Sequence, residues 1–323
     1  MEERPPAALR RRSLATLDTI AAIGITVAIL AAFVFLVAGR RSLDFAYMAR
    51  TFGTLLPGLA LAIALTGASF LIGLPIGFLT GWTRTLRGEP WAKLRARLAP
   101  PREPVPTPRM IGVALYALSV LLIAFVKRVA RRMADGYVEL MRGTPLFVQI
   151  FFVWSVFIVY FPGGDPTLTA LAAGLVAMTV NTGGYQGEIF RGGLQAIHAG
   201  QLEAARAIGL SRWGAMRNIV LPQAVRLTIP PLLNEAIALF KSSSLLFFIG
   251  VHELTFLYRQ LGFREARVLE LFTMVTVLYL LFTVSLSRVV SFLEHRFRIP
   301  GLGMAPARGG TLTTRRLARK TAL

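Results

Sequence analysis

Few residues in this sequence are placed to do covalent chemistry. There is no cysteine, which excludes disulfides, thiolate metal sites and a cysteine nucleophile. The three histidines, His198, His252 and His295, lie far apart and read as ordinary loop or interface residues, so no metal site is expected. No Ser/His/Asp, H-E-x-x-H or paired-aspartate grouping stands out, and no G-x-x-x-x-G-K-[ST] run offers a phosphate cradle. What remains is a set of polar side chains inside an apolar run, "LTIPPLLNEAIALFKSSSLLFFIG", with Asn234, Glu235, Lys241 and Ser243. In lipid such groups are costly and suggest function by default. Asn234, Ala238 and Lys241 fall at i, i+4 and i+7, on one helix face, with Glu235 off it. Lys241 lies ~24 Å along a helix begun at Val225. The face either lines a path for a zwitterion's carboxylate, or Glu235 and Lys241 hold other helices, with Lys241 reaching to the interface.

The elements that must carry these residues are membrane spans. Of the 323 residues 54% are hydrophobic and only 16% charged, with a mean hydropathy of +0.60. The apolar residues come in seven blocks, at about 19–38, 54–83, 111–126, 145–162, 167–187, 224–250 and 270–292. Most have the ~20 residues that a ~30 Å hydrocarbon core requires. The first follows "RRRS", is too long for a usual signal core and lacks a small-residue cleavage site, so it reads as a retained span.

The net charge of +20 is distributed as topology and not as a nucleic-acid surface. Segment 84–109 holds seven Lys/Arg against two acids, and 127–142 holds five against two. Loop 161–168 carries only Asp165. The positive-inside rule then places both termini, 84–142 and the Leu202 region in the cytoplasm; loop 39–50 fits less well. Two cytoplasmic ends need an even number of crossings. The short block 111–126, basic on both flanks, is therefore expected not to span but to lie at the membrane surface or as a cytoplasmic-side helix. The expected fold is all-α, a helical bundle with about six transmembrane helices. Residues 1–50 form a cytoplasmic N-terminus and extra first helix, 51–298 the core with a basic, proline-rich insertion at about 84–130, and 299–323 a basic cytoplasmic tail.

One stretch between spans is polar: "LEAARAIGLSRWGAMRNIVLP", Leu202 to Pro222. Ala204, Ala205 and Ala207 favour helix, and Glu203 and Arg206 are spaced to pair. Gly209 suits the left-handed position that ends a helix. Ser211 can cap a second helix with Trp213, Met216 and Val220 on its apolar side, closed by Pro222. This helix–turn–helix is either an amphipathic hairpin on headgroups or a docking element for a partner. Elsewhere, Glu188 and Arg191 are spaced for an ion pair that orients this loop, with substrate contact as the alternative. Arg142-Gly143-Thr144-Pro145 marks the start of a span, with the proline in its first turn.

The spacing of Glu203-Ala204-Ala205, Gly209, Ile219, Leu221 and Pro222 resembles the EAA loop of permease subunits of type I ABC importers. "YVELMRGTPLFVQIFF", "GGYQGEIFRGGLQAI" and "LPQAVRLTIPPLLNEAIALFKSSSL" are similar to the polar amino acid permease subfamily, over roughly residues 51–298. The resemblance implies an EAA loop at about 191–222 that couples through Glu203, Ala204, Ala205, Gly209, Leu210 and Ser211 to a separate ATPase dimer. It implies ATP and Mg on that partner and no cofactor on this chain. It also implies a second permease chain, identical or homologous, an extracytoplasmic solute-binding protein, an amino acid substrate and no covalent catalysis. A type I importer for another solute, or an ATP-independent secondary transporter, is the alternative. Two departures stand out: the family's Lys-Asp/Asn-Thr/Ser-Ser-Leu is Lys241-Ser242-Ser243-Ser244-Leu245 here, and Gly187 stands where alanine is frequent.

Overall fold

The computed structural model describes residues 43–86, 107–197 and 199–297, with isolated positions 24, 28 and 94. The block at 19–38 and the tail from 299 lie outside them. The described residues are helical, with no strand among them. In chain order, α1 is Phe45–Thr85, α2 Thr107–Gly143, α3 Leu146–Tyr160 and α4 Pro166–Gln195. Two short helices follow, α5 (Ala199–Ala207) and α6 (Arg212–Ala215). Then α7 spans Leu221–Ser242, α8 Leu254–Arg264 and α9 Val268–Phe297. Four helical stretches are long and apolar enough to cross a membrane: Phe45–Thr85, Ile111–Gly143, Trp213–Ile249 and Val268–Glu294; Leu146–Tyr160 is shorter. Within α4, Asn181, Gln186, Glu188 and Arg191 dilute an otherwise apolar helix.

The centre of the bundle is the contact of α1 with α4. Gly73 of α1 faces Thr182 and Gln186, Gly77 faces Gln186 and Gly187, and Gly81 faces Gly187, Phe190 and Arg191. Both sets of numbers rise together, so the two helices run parallel. Lipid gives helices no hydrophobic reason to associate, so close backbone approach at small residues must supply the contact. A Cβ on Gly77 would stand 2.5 Å from Gln186 Cβ and 3.1 Å from its backbone carbonyl carbon, so no larger residue fits without displacing backbone. Gly187, the departure noted above, meets Thr80 at 3.3 Å from its would-be Cβ, so an alanine there needs Thr80 to yield. On the other side α7 runs antiparallel to α4: Thr182 meets Glu235, and Gly193 meets Thr228 and Ala224. Leu65, Ile150, Met178, Leu239 and Leu246 bring α1, α3, α4 and α7 into one core. A second core, with Leu55, Leu254, Leu271 and Leu278, joins α1 to α8 and α9.

Three departures from the sequence-based expectations have local causes. Residues 111–126 are not a separate segment but the first half of the 37-residue α2. Nothing between Val126 and Lys127 stops a helix, and Ala130, Arg131, Arg132, Met133 and Ala134 all favour one. The helix capped by Ser211 is a single α turn, followed by a π turn over Met216–Val220 that runs directly into α7. Pro222 therefore does not close a helix: it sits in the first turn of α7, where its missing N–H is absorbed by the irregular ladder upstream. Trp213 does not join Val220 on a buried side. Val220 is buried, whereas Trp213 is 67% exposed.

Candidate functional site

Two regions bear on function, at the end of the bundle where α4 leads into α5 and on the outer face of α7. At the first, the polar loop folds largely as its residue types dictate. Helix α5 ends at Gly209, whose φ of +87° is the left-handed conformation glycine tolerates. The Leu210 amide donates to the Ala205 carbonyl at 3.1 Å, the 6→1 bond of a Schellman ending. Ser211 Oγ accepts from the Gly214 amide at 3.0 Å, capping α6. Ala205 and Ala215 are buried and hold the hairpin together. Glu203, Ala204 and Ser211 are exposed, as are Ile208 at 78% and Trp213 at 67%. The side chains of Leu202, Arg206 and Arg212 lie outside the described residues, and with them the expected Glu203–Arg206 pair. The hairpin thus presents apolar side chains and a carboxylate outward, on a frame fixed by a glycine turn.

An ionic junction roots this loop in the bundle. Glu188 accepts from the Arg191 Nε at 3.1 Å, and a second Arg191 nitrogen contacts its other oxygen. The expected pair is therefore present, and it is part of something larger. Arg84, from the end of α1, donates to Glu188 at 2.5 Å and to Asp135 of α2 at 2.7 Å. Arg142 approaches Glu188 at 3.7 Å and lies over the Tyr185 ring. Arg142 is thus an ion-pair partner as well as a residue at the start of a span. Thr144 donates to the Leu140 carbonyl and accepts from Gln149 Nε2 at 2.7 Å, while Asn181 Nδ2 donates to Gln149 Oε1 at 3.0 Å. Pro145 is the N-cap of α3, one position before the first turn in which the sequence places it. After Gly143 the chain reverses at this Thr-Pro step, and α3 sets off beside α4. Sequence spacing does not single out Arg84, Asp135, Gln149 and Asn181, because the partners that tie them to other helices lie 32 to 104 residues away.

On α7, Asn234, Ala238 and Lys241 are exposed together, on the single face their spacing sets. Glu235 turns away from them toward α4, where it accepts from Thr182 Oγ1 at 3.3 Å. Ser243 is buried, and its hydroxyl donates to the Phe240 carbonyl at 2.7 Å; Ser244 does the same to Lys241 at 2.8 Å. These serines take up carbonyls where the α-helix tightens into a 3-10 helix, Ser243–Ile249, that ends at Gly250 with φ +87°. So Ser243 supports the helix break, and the exposed polar pair is Asn234 and Lys241.

At the far end of the bundle Asp44 caps α1, and Arg267 reaches Asp44 at 3.4 Å and Glu270 at 3.2 Å. The Tyr47 hydroxyl donates to Glu265 at 2.8 Å and, ahead of the adjacent Arg264, holds that carboxyl below its ordinary range. Glu253, buried before α8, caps that helix through the Phe256 amide at 2.9 Å and accepts from Tyr279 at 3.2 Å. Acids and arginines are nearly balanced at this far end, whereas the loop end is rich in arginine. No group of three or more His, Cys, Asp or Glu among the described residues could hold a metal ion.

Apolar helices with a small-residue seam, an exposed polar face and a polar hairpin at one end fit a membrane transport component. Residues 111–299 match the family described as binding-protein-dependent transport system inner membrane component, and the chain belongs to it. Its relatives include the glutamine transport system permease protein GlnP of Escherichia coli (strain K12), 36% identical over 194 residues that cover 59% of this chain and 88% of that one. The nopaline transport system permease protein NocM of Agrobacterium fabrum (strain C58 / ATCC 33970) is 33% identical over 201 residues, covering 57% and 79%. Among solved structures, an amino acid ABC transporter crystallised with histidines matches with a TM-score of 0.62 and 26% identity, over 79% of this chain and all of that one. The MetNI methionine ABC transporter in inward-facing conformations shares the fold, with a TM-score of 0.54 at 18% identity over 77% and 99%. The chain is thus a multi-pass inner-membrane permease component, in a family whose members move solutes across membranes and not one of enzymes.

Proposed function

We propose that this chain is the permease subunit of an ATP-driven importer of amino acids. It forms half of a translocation path with a second permease chain, identical or homologous. Its hairpin, through Glu203, Ala204, Ala205, Gly209, Leu210 and Ser211, docks on a separate ATPase pair that binds ATP and Mg. An extracytoplasmic binding protein delivers the substrate. Both termini and the hairpin are cytoplasmic, which the arginine-rich loop end supports through the positive-inside rule. The core is 51–298, with 84–130 as its insertion.

The observation that carries this reading is the exposed polar face of α7. A helix of this apolar composition gains nothing by turning Asn234 and Lys241 to lipid. Facing a second chain across a wet path, the Lys241 ammonium and the Asn234 amide can hold a substrate carboxylate, with Glu235 behind them, turned toward α4. The glutamine permease relative supports an amino acid as cargo. The nopaline relative supports a second reading, an opine or a comparable small zwitterion.

The test is uptake by the reconstituted complex carrying Lys241→Met. The KM for substrate is expected to rise about tenfold, the loss of one charge-assisted hydrogen bond. Unchanged uptake kinetics would remove Lys241 from the path. In the same vesicles, uptake that persists with the ATPase left out would make the chain a secondary transporter instead.

A further inference from the structure

The first half of α2 lacks a role in the scheme above. Leu115, Leu118, Leu122, Val126, Val129 and Met133 recur at i, i+3 and i+4 spacing, and all are exposed, from 39% at Val129 to 70% at Met133. They form one stripe along the helix. Lys127, Arg131 and Arg132 project from its other sides and are exposed. Arg131 reaches Asp135 at 3.7 Å, whereas no carboxylate among the described residues pairs with Lys127 or Arg132. From Ile111 to Val126 the helix is apolar on its remaining sides too, Tyr116 and Ser119 excepted, with Ile111, Tyr116, Leu121, Ile123 and Phe125 exposed. A protein partner would cover one stripe; a helix apolar all round needs an apolar medium all round.

We propose that α2 is a lipid-facing arm whose basic half binds anionic phospholipid. Lys127, Arg131 and Arg132 hold the headgroup phosphates, and the Leu115–Met133 stripe lies among the acyl chains. The basic half rides at headgroup level, and the half before it dips into the hydrocarbon. Residues 111–126 run ~24 Å along the helix, deep into the hydrocarbon. Basic side chains beside membrane helices recognise anionic headgroups by charge, with each Lys or Arg contributing about fivefold in affinity. The arm also touches the machinery. Arg131 shares Asp135 with Arg84, and Arg84 shares Glu188 with Arg191, which leads into the hairpin. A phosphate on Arg131 competes with Asp135 at the outer end of that chain of ion pairs.

The proposal rests on the cytoplasmic placement of the loop end but not on ATPase or substrate, so its test measures lipid alone. The full-length protein is purified in detergent and titrated with phosphatidylglycerol or phosphatidylcholine, and bound lipid is counted by native mass spectrometry. Wild type is expected to retain phosphatidylglycerol over phosphatidylcholine. Combining Lys127→Gln with Arg132→Gln is expected to weaken that preference about 30-fold, two cations' share. Arg264→Gln, which removes an exposed cation at the far end of the bundle, leaves it intact. The proposal is overturned if wild type shows no preference, if the double variant keeps it, or if Arg264→Gln loses it equally.

Discussion

Gly77→Ala is expected to lower the thermal midpoint of the purified protein by ~5 °C or more, while Gly67→Ala on the same helix leaves it unchanged or slightly raised. Both changes add one methyl group, and both exchange glycine for a better helix former. They differ only in what the methyl meets. At Gly67 there is nothing within 4 Å. At Gly77 the new carbon lands on Gln186 Cβ and beside backbone, and Gln186 is fully buried with its amide donating to the Phe70 carbonyl at 3.1 Å. The contact cannot open without separating α1 from α4, which carries Gly73 and Gly81 with it. The measurement is thermal unfolding in one detergent, and equal midpoints for the two variants would show that the seam does not hold the bundle together. A larger side chain, as in Gly77→Val, is expected to abolish accumulation of folded protein.

The second large effect is expected at the hairpin. Gly209→Pro and Glu203→Lys should each abolish ATP-driven uptake by the reconstituted complex while leaving the chain inserted and its melting unchanged. Proline fixes φ near −65°, and the turn at Gly209 needs +87°. The substitution therefore misaims α6 against α5, and with it the exposed Trp213. Glu203→Lys leaves the backbone alone and reverses the charge at an exposed position of α5. Neither residue touches the α1–α4 core, which separates this effect from that of Gly77. ATP hydrolysis that continues without uptake is the expected signature; normal uptake by both variants would remove the coupling role.

Much of this was legible because it is local. The Gly209 turn and the Ser211 cap need only neighbouring backbone, and each residue type admits few conformations there. The shared face of Asn234, Ala238 and Lys241 follows from helix periodicity alone. What stayed hidden is non-local. Gly73, Gly77 and Gly81 stand four apart in the sequence, a small-xxx-small pattern, yet spacing does not name α4 as the partner. Glu188 and Arg191 could be paired from their spacing, but Arg84 lies 104 residues from Glu188. Block 111–126 was bounded by hydropathy, whereas helix propensity ignores the change from apolar to basic at Lys127. Periodicity puts Trp213 on one apolar side with Val220 only if the helix is regular, and the π turn at Met216 breaks it.

The central claim is that a separate ATPase grips the hairpin. The chain has no cysteine, so a single introduced thiol reports one place. Ile208→Cys stands at the hairpin tip and Val159→Cys at the end of α3, with Ile208 and Val159 exposed at 78% and 71%. Each is treated with a short thiol-to-amine cross-linker in membranes that contain the ATPase. Ile208→Cys is expected to give a product of the chain joined to the ATPase subunit, with a yield that changes when ATP is added, and Val159→Cys none. Absence of that product at Ile208→Cys, or equal yield at both positions, would contradict the account.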